Sequence, residues 1–140
     1  MTKLGILIPS IALALLAGLS VSAHHSPGYY FDMGTTIVHS DVTAVSFTAA
    51  NPHGRLIYTM ADEEGNEKEW IAELPANNMM RRHGVTGDMI SPGDKLTLRG
   101  NPGQNGATML RVTHALLPNG EVATFYAPQG SGTLEDLRVN

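Results

Sequence analysis

From Thr36 onward, apolar and polar side chains alternate over short stretches bounded by glycine, proline and asparagine, with the period of two that half-buried strands show. Six stretches carry the pattern: Thr36–Phe47, Arg55–Met60, Lys68–Leu74, Lys95–Arg99, Thr108–Leu117 and Glu121–Tyr126. The polar Asp62–Asn66 separates the second from the third, and Pro118-Asn119-Gly120 separates the fifth from the sixth. Both connections suit antiparallel hairpins, and the Asn-Gly pair tolerates positive φ. One segment departs from the alternation. Pro75–Gly84 has helix-tolerant residues behind Asn77, a candidate N-cap, then Arg81 and Arg82 in the last turn and Gly84 as a stop. A helix between the third and fourth strands is the order of the oligonucleotide/oligosaccharide-binding (OB) barrel. The expected fold is therefore mainly β: an OB-like small antiparallel barrel of five to six strands with one short helix. An immunoglobulin-like sandwich has a similar strand count but no place for a mid-chain helix.

Ahead of the barrel, Lys3 precedes an almost wholly apolar run, Leu4–Leu19, and Ser20–Ala23 supplies small residues with Val21 and Ala23 at the positions a signal peptidase reads. Residues 1–23 are expected to form a signal-peptide helix. Against a membrane anchor stand Pro9, a run shorter than the ~20 residues that span a bilayer, and the lack of a following basic cluster. Cleavage after Ala23 leaves 140 − 23 = 117 residues, room for one domain. The expected division is a barrel over 24–126 and a loosely held tail over 127–140, and the expected location is periplasmic or secreted.

Charge and cysteine content narrow the partners. Losing Lys3 takes the nine basic side chains to eight against thirteen acidic, a formal charge of 8 − 13 = −5. That balance argues against nucleic acid or an anionic membrane as partner. With no cysteine the fold holds without disulfides, and there is no thiol to carry a lipid.

The candidate chemistry lies in histidines. Cleavage after Ala23 makes His24 the first residue, with an α-amine and an imidazole that can close around one ion. A second imidazole opposite gives the tetragonal nitrogen set that Cu(II) prefers, a histidine brace. His25 points away from its neighbour in an extended chain, so the opposite ligand has to come from the body of the fold. His53 in "AANPHGR" is the best placed, between Pro52 and Gly54 on the first interstrand loop. His24, His25 and His53 are the candidate metal ligands, and copper the candidate ion. The competing reading is a flexible N-terminus with incidental histidines. His39 and His114 are expected on solvent-facing or half-packed strand faces, and His83 at the helix C-terminus. Met79-Met80 offers soft sulfur, but adjacent helical positions diverge by ~100°, and packing one of them against the barrel explains the pair as well.

No cysteine nucleophile, Gly-x-Ser-x-Gly elbow, His-Glu-x-x-His pair or phosphate loop is present, so nothing in the chain specifies an enzyme. The carboxylates, Glu73 among them, are expected in turns and on solvated strand faces. Trp70 is expected to pack at the core or barrel mouth.

Taken together, "AHHSPGYYFDM", "NPH", "EW-x-x-E-L", "N-M-x-R-R-x-G", "PGDKLTLRGNP" and "GxxxLRVTHALLPNGE" resemble a family of small exported bacterial proteins of uncharacterised function. That family shares an Ala-His-His-Ser start and an Asn-Pro-His motif. The resemblance runs from Ala23 to about Glu121 and places His24, His25, Ser26, Phe31-Asp32 and Asn51-Pro52-His53 on the shared motifs. This chain departs at Ala49 and Val85, where the family often carries tryptophan.

The expected function is periplasmic metal handling through a copper-binding brace, without turnover. The alternative is a periplasmic binding or assembly module for a protein or small ligand, using Trp70, Tyr58 and Arg55 on the barrel face. A copper-dependent oxidative enzyme is a third option for which no substrate can be named.

Overall fold

The computed structural model describes residues 26–128, 131–133 and 135–137; the expected signal peptide, His24 and His25 lie outside the described residues. The strands are β1 (Ile37–Thr48), β2 (Gly54–Ala61), β3 (Glu67–Leu74), β4 (Lys95–Pro102), β5 (Met109–Leu116) and β6 (Val122–Thr124), and helix α1 (Asn77–Arg82) lies between β3 and β4. They form one sheet in the order β3-β2-β1-β4-β5-β6, and β3 also pairs with β5. The result is a closed five-strand barrel with β6 as an added strand, the OB-like topology that the pattern predicts.

The barrel is mixed rather than wholly antiparallel. Strands β1, β3 and β5 must run the same way, because β2 is antiparallel to both β1 and β3 and β4 is antiparallel to both β1 and β5. The closing pair, Ile71↔Met109, Ala72↔Leu110 and Glu73↔Arg111, is therefore parallel. Alternating positions of the strands fill the interior: Val42, Leu56, Tyr58, Leu74, Leu98 and Leu110 are all buried. Met80 of α1 is fully buried against them, whereas Met79 is exposed, so one of the two methionines packs the helix onto the barrel. Asn77 is the first helical residue rather than the cap; Ala76 occupies that position without a side-chain hydrogen bond, and Gly84 ends the turn at φ 78°.

Bulges decide which faces the histidines occupy. On β1, His39 pairs with Leu98 and Val42 with Leu96, so three steps along β1 match two along β4. Asp41, at φ 54°, takes up the extra residue. Strict alternation from Val42 would turn His39 outward; the bulge reverses the parity and brings it inside. It is buried, contrary to expectation, with Nδ1 2.8 Å from the Tyr58 hydroxyl and its ring edge-on to Trp70. On β5, Val112 pairs with Gly100 and His114 with Arg99, and Thr113 is the extra residue. His114 thus leaves the inner face to its neighbour Ala115, yet it is also buried, because tail residues 131–133 cover it: Ser131 Oγ lies 3.2 Å from Nε2. Leu137 is buried near the same strands.

Residues 26–35 run along the β4–β5 connection. A 3-10 turn, Pro27–Tyr29, leads to buried Phe31, which bridges Gly103. Backbone bonds Asp32 N to Pro102 O (2.9 Å) and Gln104 N to Tyr30 O (2.8 Å) hold the segment, and Asn101 Nδ2 donates to Thr35 O at 2.8 Å. Asp32 closes the next turn by accepting from the Thr35 hydroxyl (2.6 Å) and Gly34 N–H (3.0 Å), which hold its carboxyl below the usual range. The Phe31-Asp32 motif is thus an apolar anchor followed by a turn lock. No helix among the described residues is long and apolar enough to cross a membrane.

Candidate functional site

The β1–β2 loop carries Asn51, cis-linked Pro52 and His53, and it ends where Gly54 N donates to Pro75 O at 3.0 Å. Gly54 is closely packed there: a Cβ would come within 2.8 Å of the Met80 methyl and 3.2 Å of the Pro75 and Thr48 oxygens. The backbone fixed in this way holds His53 beside the seam where β3 and β5 close the barrel. Its side chain is 57% exposed. Together with Glu73, Arg111 and Tyr126 it lines a cavity of about 260 Å³, which Pro27, Tyr30 and Phe31 also line.

Tyr126 organises the polar side of this cavity. Its hydroxyl lies 2.9 Å from Leu74 O, 2.9 Å from His53 Nδ1 and 3.3 Å from Glu73 Oε1. Neither the Leu74 carbonyl nor the Glu73 carboxylate has a proton to give, so the one phenol proton is directed to these two acceptors, with the nearer Leu74 O as its main partner. We therefore assign the proton between the rings to His53, with Nδ1–H donating to the phenol oxygen and the lone pair on Nε2. Glu73 Oε1, 4.0 Å from Nδ1, favours the same assignment. Burial foremost, and then the Glu73 carboxylate, push the Tyr126 phenol up from its ordinary value, against an opposing pull from Arg111, so it stays protonated at neutral pH. The Arg111 guanidinium lies 3.6 Å over the Tyr126 ring, and its buried Nε has no hydrogen-bond partner among the described residues.

Of the candidate ligands only His53 lies within the described residues. The other described histidines each have partners elsewhere: His39 with Tyr58, His114 with Thr113 and Ser131, and His83 with the Thr124 carbonyl, to which its Nδ1 donates at 3.1 Å. Among the described residues no three His, Asp or Glu side chains gather as a ligand set. Tyr58, expected as a surface contact, is fully buried because it shares the inner face of β2 with Leu56. Trp70 is half-buried and packs on the core, leaving Arg55 as the exposed member of that trio.

Sequence reasoning missed Glu73, Arg111 and Tyr126. Glu73 and Arg111 sit within two of the quoted motifs, and only the parallel closing pair makes them neighbours.

The fold and this cavity define a small OB-like barrel with an imidazole, a carboxylate, a guanidinium and a phenol gathered at its closing seam. A family model matches residues 12–111, and the chain belongs to that family, the Family of unknown function (DUF6152). No curated protein and no solved structure matches the chain.

Proposed function

We propose that the processed protein is a periplasmic metal handler that binds a transition metal, copper in first place. The His24 amine and ring would bind on one side and His53 on the other, with His25 as a further donor. The observation that carries this reading is the place of Pro27, which lines the same cavity as His53. His25 and His24 are two and three positions upstream of it, and at ~3.5 Å per residue a chain of that length spans about 10 Å at most. His53 also suits the role chemically, because it is exposed and the Tyr126 bond leaves Nε2 as its free donor. When bound, the ion would supply Lewis acidity and one-electron redox chemistry; the chain's own contribution is to orient the His53 ring and fix its tautomer.

The test is Cu(II) titration of protein whose first residue is His24, against the same protein with one added N-terminal glycine. The native start is expected to bind one equivalent, and the glycine to weaken it by on the order of a hundredfold or more, because the amine moves out of its chelate ring. Equal affinity of the two forms rejects the brace.

A further inference from the structure

Arg111 gives the cavity a second capacity that does not depend on a metal. Its guanidinium carbon lies 3.6 Å over the Tyr126 ring, a contact with the π face that uses none of the N–H donors for a hydrogen bond to an oxygen. Nε is buried without a partner among the described residues. Glu73 is its register neighbour across the β3–β5 pair, but that carboxylate is turned toward Tyr126 (3.3 Å) and His53 (4.0 Å). A guanidinium held this way is a donor fork for a planar anion. The rest of the lining, Pro27, Tyr30 and Phe31, is apolar and aromatic, and about 260 Å³ accommodates a small organic molecule.

We propose that this cavity binds a small monocarboxylate with an apolar or aromatic body. The carboxylate pairs with Arg111 and the body lies against Pro27, Tyr30 and Phe31. Glu73 sets the specificity: a fixed negative charge at the cavity wall is tolerable to one carboxylate that Arg111 neutralises and repels a second negative charge. Monoanions are therefore selected over dianions such as phosphate or a dicarboxylate.

The experiment is calorimetric titration of the purified protein in metal-free buffer with benzoate, succinate and inorganic phosphate. Saturable benzoate binding is expected, with succinate and phosphate weaker. Arg111→Gln should weaken benzoate by about tenfold or more, and Arg111→Lys, which keeps the charge but not the fork, should also weaken it. Glu73→Gln should tighten benzoate and narrow the gap to the dianions. It also tests the site independently if the Arg111 variants do not fold. The proposal is overturned by an absence of saturable benzoate binding, by unchanged affinity in folded Arg111→Gln, by phosphate binding as tightly as benzoate, or by Glu73→Gln failing to tighten benzoate.

Discussion

A single hydroxyl, that of Tyr126, ties the β1–β2 loop to β3: it donates to Leu74 O and accepts from His53. Tyr126→Phe should leave the Leu74 carbonyl unsatisfied and the imidazole unrestrained, costing about 1–2 kcal/mol in chemical denaturation. The 15N shifts of the His53 ring should move from one tautomer toward a mixture; an unchanged tautomer would show that the phenol does not set it. His53 could be singled out from sequence because proline and glycine flank it in a loop. Glu73 and Arg111 could not, because alternation places both on outward faces and says nothing of which outward faces meet.

At the scale of strands, the sequence showed all six and the helix, with no end displaced by more than three residues, because their alternation and their glycine and asparagine turns are local signals. It did not show the bulges. Ser40-Asp41 reads as ordinary polar punctuation of a strand, and nothing local says that one residue there goes unpaired. The β4–β5 bulge rests on Gly100, where a Cβ would lie 2.2 Å from Arg111 O and 3.0 Å from Val112 Cα. Both neighbours are backbone and cannot swing aside. Gly100→Ala is expected to cost about 3 kcal/mol or more and to disturb Arg111, whose own carbonyl oxygen is the nearest contact. At Gly54 the nearest atom is the tip of a flexible methionine, so Gly54→Ala should cost less, about 1–2 kcal/mol. Urea midpoints of the two variants check the order, and a reversed order would mean that the β4–β5 backbone yields more easily than Met80.

Closure of the barrel buries a titratable ring, and that makes the stability of the whole molecule depend on pH. Burial holds the His39 pKa below its ordinary 6.5. Above pH 6.5 the ring is neutral both folded and unfolded. As pH falls below that value the unfolded chain takes up a proton that the folded ring resists, so stability is lost as pH falls through the folded pKa. Melting temperatures between about pH 7.5 and 5.0 should fall more steeply for the native protein than for His39→Gln; parallel curves would remove His39 as the cause. The molecule-wide topology was legible because a helix between the third and fourth of several short strands fits few β architectures. The direction of the closing pair followed only once every other pairing was known.

The central claim, that residues ahead of Ser26 meet His53 around a metal, is tested most directly by electron paramagnetic resonance of protein beginning at His24 and loaded with one equivalent of Cu(II). The account predicts a tetragonal, nitrogen-rich copper signal whose nitrogen hyperfine pattern loses one donor in His53→Ala while the His24 amine and ring keep theirs. A spectrum of aqueous copper, or one identical in native protein and His53→Ala, would contradict it.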